Sequence, residues 1–484
     1  MATHPDWALK HKRKGTELRN LNGRYYLYEA TSKWDPQIKR SKKITGKLLG
    51  RITKEDGFIE SEKAKLRKQT LTVSKLTIKE FGITSFIESH LSEYKSLLTK
   101  HFPDHWKQIL ALAYGRMVYH SPMKNMEFHY YHSYLSVLYK GLKLSPKHLT
   151  AFLREFGVQR QEIVSFFKEF RGGKNNILFD GTDLFSKSKK IDITKYSRTK
   201  KGTYDSVANM MFAFSVDLQL PLYYKFLPGN IKDIKSFKLC LKELQIEDAV
   251  VIVDKGFSSK NNVNELINEQ LNFIIPLKRN NTLIDYQNVA QGNKKDFESF
   301  FKFQGRIIWY YSLIVDKEKD LSINLYLDEE LKLEENKDYL NRIETVPDKY
   351  TMEGFYEKQH TFGTIAMMHN TSSDAETVYV KYKSRNQIEE MIDVFKNIID
   401  ADSSYMQNEQ ALESWMFINY ISLHWYYKIY QLLAKHQLTN KYSPMDFILF
   451  LKEIRKVKIN DKWFLAETTA KTQNILNKVN IPIT

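Results

Sequence analysis

Hydrophobic and polar positions change texture twice along the first third of the chain. From residue 22 to 60 they alternate, as YYLYEA, a basic polar turn and KITGKLLGRIT, which predicts a short β-meander. From 61 to 170 apolar residues recur three and four apart, in FIESHLSEYKSLL and SPKHLTAFLREF. Punctuated by Pro103, Pro122 and Pro146, this stretch predicts amphipathic helices. At Arg171-Gly172-Gly173 the texture turns to strands.

From there the predicted order is strand, strand, strand, helix, strand, helix, strand. NNILFDG is a strand reaching Asp180, and a basic loop follows it. VANMMFAFSVD and LPLYYKFLPGN form a hairpin, DIKSFKLCLKELQ a helix, AVVIVDKGF a buried strand, SKNNVNELINEQ a helix and LNFIIPLKR another buried strand. A meander followed by βαβ crossovers predicts a mixed sheet whose first and fourth strands lie side by side and parallel. Asp180 and Asp254 then end adjacent central strands. Residues 286–361, with FQGRIIWYYSLIV and LSINLYL between charged turns, read as a β-rich insertion. FGTIAMMHN returns as a strand, a helix carrying Glu389 follows, and 405–484 read as helical. The boundaries expected are therefore 1–65 (basic β-meander), 66–170 (helical connecting region), 171–285 and 362–404 (the two parts of an α/β core), 286–361 (insertion) and 405–484 (helical region).

Composition narrows the class. Hydrophobic content of 42% and aromatic content of 13% indicate a folded protein with ample core. The formal charge is +17, and residues 1–50 hold 12 Lys/Arg against 4 Asp/Glu. Phosphate neutralisation is the usual reason for such a surplus, so nucleic acid is the first partner to expect. Cys240 is the only cysteine, which excludes an internal disulfide and a cysteine zinc cluster. No stretch reaches 18 apolar residues and the N-terminus has no apolar leader, so a soluble cytoplasmic protein is expected, with no membrane partner.

The densest chemistry lies in Tyr382–Lys396, YKSRNQIEEMIDVFK. On a continuous helix Tyr382, Arg385, Glu389 and Lys396 fall within about 60° of one another. Ile388, Ile392 and Phe395 form a neighbouring apolar stripe able to dock on a core. A carboxylate flanked by cations suits a site that takes both a metal ion and phosphates. Metal-assisted phosphoryl transfer needs acids from separate chain segments converging on one point. Asp180 and Asp254, each after an apolar strand, are placed to join Glu389 there. Asp183, three residues beyond Asp180, and Asp393, one turn past Glu389, stand as rivals for two of these positions.

These residues resemble the DDE transposases of bacterial insertion sequences, in the branch marked by Y-x2-R-x3-E-x6-K. Tyr382, Arg385, Glu389 and Lys396 match that motif at every spacing. Asp180-Gly181-Thr182 matches a common form of the first motif. Asp254-Lys255-Gly256-Phe257 matches the second, with Lys255 where Arg is usual. Gly202–Asp205 and Pro228-Gly229-Asn230-x-x-Asp233 are smaller echoes, and the likeness spans roughly 170–400. The resemblance implies a ribonuclease H-like core and makes Asp180, Asp254 and Glu389 ligands of two Mg²⁺ ions, for which Mn²⁺ substitutes. It implies that Arg385 and Lys396 hold DNA phosphates, and that Tyr382 hydrogen-bonds one.

Lys187–Lys201 carries seven cations and one acid next to Asp180, so Lys200 and Lys201, with Lys255, are expected on the DNA backbone. Trp309 is a candidate for stacking an extruded base, because members of this branch can flip one near the cut end. His129 and His132 are expected to be helix packing. The basic N-terminal region is expected to read the element's ends. The function expected is cleavage at terminal inverted repeats and strand transfer into double-stranded target DNA, by a homodimer joining two ends. A ribonuclease H-like nuclease without strand transfer, or a DNA-binding relic without catalysis, are the alternatives.

Overall fold

A computed structural model describes residues 4–37, 39–69, 76–170, 176–198, 204–227, 234–247 and 249–482. They fall into two compact units, Met1–Thr77 with Val457–Phe464, and Ile78–Lys456 with Leu465–Thr484.

In the first unit β1 (Thr16–Leu21), β2 (Arg24–Asp35), β3 (Arg40–Thr53) and β4 (Gly57–Glu60) form an antiparallel meander in that order. Asn22 and Gly23 join β1 to β2 with φ of 55° and 80°, as a two-residue hairpin whose twist matches its strands requires. Ala8, Leu18, Leu27 and Ile52 make a small core, with Trp7 edge-on to Tyr25. Beyond this core β2 and β3 continue as an exposed two-stranded ribbon, paired to Asp35↔Arg40.

β5 (Leu76–Glu80) begins at the end of the first unit and finishes in the second, where helices and then the long sheet follow. Its strands are β6 (Asn176–Ser186), β7 (Thr194–Arg198), β8 (Tyr204–Ser215), β9 (Leu220–Leu227), β10 (Val250–Ile252), β11 (Asn272–Pro276), β12 (Ser299–Phe303), β13 (Arg306–Asp316), β14 (Leu321–Asp328) and β15 (Thr364–His369). The order β9-β8-β6-β10-β11, with β8 antiparallel to its neighbours and β6, β10 and β11 parallel, is a ribonuclease H-like arrangement. The crossover segments carry helices Ile234–Leu244 and Lys260–Asn268.

Three segments depart from the sequence reading. The strands of 286–361 do not form a sheet of their own, because β14 pairs with β15 and β15 with β11, so the core sheet runs on into β12. Glu329–Thr345 and Met352–Lys358, read as charged turns, are helices. Only Tyr339 of the first is buried, so its apolar period is faint. It is held instead by the Asp328 cap on the Leu331 amide (3.0 Å) and the Asp338–Arg342 pair (2.9 Å). Within 405–484, Arg455–Ile459 and Lys462–Leu465 are strands.

Helix Glu409–Lys435 runs through the core, burying Tyr420, His424 and Trp425 against helices Trp106–Tyr119 and Pro146–Phe156 and strand β9. Burial pushes the His424 imidazole down to about 3, so it is neutral where it meets the Tyr94 hydroxyl at 3.0 Å. Two guanidinium groups, that of the buried Arg116 and that of the half-buried Arg160, tie this helix to the rest. Arg160 reaches Glu413 at 2.7 Å and the Tyr223 hydroxyl at 2.8 Å. Arg116 donates to Asn419 Oδ1 (2.7 Å) and to the carbonyls of Ile399 (2.8 Å) and Asp400 (2.7 Å), holding the end of the Glu389 segment.

Candidate active site

Asp180 lies inside β6, opposite Phe212 of β8. Side chains of directly opposed residues share a face of the sheet. The Phe212 ring packs on Phe395 at 5.2 Å, so Asp180 is on the face that the Glu389 segment covers. Alternation puts Asp183 on the other face, which removes it as a substitute for Asp180.

Asp254 follows β10, which pairs with β6 in parallel as Val250↔Asn176, Val251↔Ile177 and Ile252↔Leu178. Continued two residues, this register brings Asp254 level with Asp180. The chain then turns, and Asp254 caps the short helical turn Lys255–Phe257 by accepting from the Lys255 amide at 2.7 Å. On the opposite face Phe237 packs on both Phe179 (5.1 Å) and Phe257 (5.2 Å). The phenylalanine of DKGF thus anchors the turn that presents Asp254. The motif's spelling contains Phe257, but its partner Phe237 lay in a helix with no mark of this role.

The segment from Tyr382 to Lys396 is not one helix. Helix Ala375–Lys383 stops, Arg385 stands at the junction, helix Asn386–Asp393 carries Glu389, and Val394–Ile398 winds as a π-turn containing Lys396. The amide of Arg385 bonds to the Tyr382 carbonyl and that of Ile388 to Arg385, which tightens the junction. Lys396 therefore lies in a π-turn, outside the continuous helix that the spacing assumes. Of the expected apolar stripe, Ile388 and Phe395 are buried and Ile392 is half-buried, with Met391 buried beside them.

Arg385 gathers the site. Its Nη1 donates to Glu389 Oε1 at 2.7 Å and its Nη2 lies 3.8 Å from Asp254 Oδ2, with the guanidinium side chain only 15% exposed against 45% for Asp254 and 52% for Glu389. Burial raises the Tyr382 hydroxyl above its ordinary range, while Arg385 opposes this and the Asp254 and Glu389 charges add to it. Tyr382, Arg385, Glu389 and Asp254 therefore share one electrostatic neighbourhood, and Asp180 lies level with Asp254 on the sheet face that Phe395 covers. Among the described residues no group of three His, Cys, Asp or Glu side chains stands close enough to hold a metal ion. The donor chemistry still suits a hard cation, since carboxylate oxygens flank the one cation, Arg385, that lies between Asp254 and Glu389.

Residues 171–425, more than half of the 484-residue chain, match the Transposase DDE domain family. The chain belongs to the DDE transposases. No curated protein sequence matches it. Among solved structures it is similar to the piggyBac transposase synaptic complex with hairpin DNA, at 11% identity and a TM-score of 0.38, covering 77% of this chain and 80% of that one. That likeness is too distant to add to the family match.

The remaining residues singled out in the sequence are dispersed. Lys255 is exposed beside Asp254, and Lys396 is half-buried. Lys200 and Lys201 lie outside the described residues, as do Gly202 and the Pro228–Asp233 echo. Trp309 of the transposase is half-buried between Phe297 (6.1 Å) and Phe300 (5.2 Å), with Lys294 Nζ 5.4 Å from its ring centre. His129 stacks on Tyr119 at 4.1 Å, a packing contact. Asp393 is exposed and bonds Asn397 within its own turn. No described helix is long and apolar enough to cross a membrane.

Proposed function

We propose that this transposase cuts DNA at terminal inverted repeats and joins the freed ends into target DNA, in the cut-and-paste manner of bacterial insertion sequences with the Y-x2-R-x3-E-x6-K signature. The observation that carries this reading is the shared level of Asp180 and Asp254, with Arg385 tying Asp254 to Glu389.

In the first step a water oxygen attacks the phosphorus, the P–O3′ bond breaks and a 3′-hydroxyl is released. In the second that hydroxyl attacks a target phosphodiester in-line and displaces a target 3′-oxygen. Asp180, Asp254 and Glu389 would hold two Mg²⁺ ions, or Mn²⁺ in their place. When bound, such ions activate the attacking oxygen and stabilise the leaving one. Arg385 offers a planar fork for phosphate oxygens and Lys396 and Lys255 point charges. The raised Tyr382 hydroxyl keeps its proton for a hydrogen bond to phosphate. Lys200 and Lys201 extend this contact along the backbone, and Trp309 remains a stacking candidate for a flipped base.

The unit containing residues 4–69 is proposed to read the element's ends. Its exposed β2–β3 ribbon carries Lys33, Trp34, Arg40, Lys42 and Lys43, and two-stranded ribbons fit the DNA major groove. The working assembly is proposed to be a homodimer holding two ends, with the domain limits given by the sequence reading.

The test uses a linear DNA carrying the gene's own flanking ends, a supercoiled target, and Mg²⁺ or Mn²⁺, comparing the wild type with Glu389→Gln. Metal-dependent cleavage at the ends and joining to the target, both lost in the variant, are expected. Cleavage without joining makes the protein a nuclease, and binding without cleavage in either protein makes it a relic.

A further inference from the structure

The sheet does not stop at the acid-bearing strands. β7 and the first turn of β8 pair as an antiparallel ribbon, with Tyr196↔Ser206 and Arg198↔Tyr204 in register. Tyr196 and Tyr204 lie diagonally across it on one face, with ring centres 6.0 Å apart and planes inclined by 25°. They are nevertheless 75% and 62% exposed. Aromatics paired for stability normally cover one another or a core. This pair meets only each other, covers no core, and leaves most of its ring surface to solvent. The chain just before it exposes Lys187, Lys189, Lys190 and Lys195.

We propose that Tyr196 and Tyr204 form a stacking platform for nucleobases of DNA exposed at a kink or a single-stranded stretch; this rests on the DNA reading above. Every base has a π-face, so an exposed ring pair accepts bases without reading their sequence, while surrounding cations hold the backbone. The occupant is a nucleobase because the segment leading into the ribbon exposes four lysines against one acid, Asp192, a surplus that DNA phosphates neutralise and a purely apolar partner surface would leave unpaired. Tyr204 stands eight residues before Phe212, the partner of Asp180, along one strand. That is roughly 26 Å beyond the acid, past the carboxyl end of β6. The stacked base is therefore not the one at the scissile phosphate. Trp309, half-buried among rings, presents less free aromatic surface than either tyrosine.

The test measures binding of the full chain to two DNAs with the gene's flanking end, one an intact duplex and one with a short single-stranded gap holding a fluorescent adenine analogue. The wild type is expected to quench the analogue and to bind gapped DNA about tenfold more tightly than Tyr196→Ala or Tyr204→Ala. All are expected to bind the intact duplex alike, and Tyr196→Phe and Tyr204→Phe to match the wild type on both. Equal duplex binding also establishes that the alanine variants are folded. A double alanine variant that quenches and binds gapped DNA like the wild type overturns the platform alone, as does a wild type that binds both DNAs without quenching. A wild type that binds neither DNA overturns the DNA reading and the platform with it.

Discussion

Arg385 donates to Glu389, four residues on, at 2.7 Å, and the same guanidinium faces Asp254 at 3.8 Å. Two acids from segments far apart in the chain thus share one cation. Replacing Arg385 with Gln removes that charge and leaves the carboxylates freer to attract another cation. Titration of Mn²⁺ by calorimetry without DNA is expected to find binding about threefold tighter in Arg385→Gln, the size of a partly exposed ion pair. Binding of end DNA should weaken at the same time. Unchanged Mn²⁺ affinity would separate Arg385 from the acids' charge balance.

Arg160 carries its charge against burial because Glu413, Tyr223 and Tyr224 surround it, and its ionisation is held above the ordinary arginine range. It joins helix Arg160–Lys168 to β9 and to helix Glu409–Lys435. Arg160→Ala strands the Glu413 carboxylate in a site where its side chain is 15% exposed. The expected loss is about 2–3 kcal/mol in chemical denaturation. Glu413→Gln, which keeps an acceptor, should lose less.

Gly157 ends helix Pro146–Phe156 against the start of the long core helix. A Cβ there would stand 1.8 Å from the Gln410 carbonyl oxygen, where backbone cannot yield. Gly157→Ala is therefore expected to destabilise by about 3 kcal/mol or to prevent folding. The melting temperature and soluble yield read this out. Gly256→Ala, with nothing within 4 Å of the added carbon, is the control that should melt like the wild type.

Glu80 sits buried under three donors, the Ile83 amide (2.6 Å), Thr84 (3.1 Å) and Tyr114 (3.0 Å). Burial outweighs them and raises its carboxyl to about 7 from 4.5. The folded state then keeps a proton that the unfolded chain has released, so stability falls as pH rises from about 4.5 to about 7 and levels off above. The contribution is about 3 kcal/mol. Glu80→Gln should abolish this slope, and denaturation curves across that window in both proteins measure it.

Local pattern sufficed for much of this protein. Strand alternation from NNILFDG to LNFIIPLKR, helix periods, and the spacing of Tyr382, Arg385 and Glu389 are properties of neighbouring residues, and they led directly to the sheet order and to a short set of candidate acids. The weakly amphipathic helix Glu329–Thr345 escaped notice because capping and charge pairs, not an apolar stripe, hold it.

By itself the sequence determined which side chains are candidates for the site, since motif spelling and spacing survive any arrangement of the chain. Only the tertiary structure decided how they meet. The level of Asp254 with Asp180 comes from the β6–β10 register, the face of Asp180 from Phe212 against Phe395, and the link of Asp254 to the Glu389 segment from Arg385. The break at Arg385, which turns its guanidinium between two acids, and the π-turn under Lys396 arise where helix packing overrides an ideal period. The exposed stack of Tyr196 on Tyr204 depends on a cross-strand register in the same way. Register and packing are set by contacts between distant segments, and no local period records them.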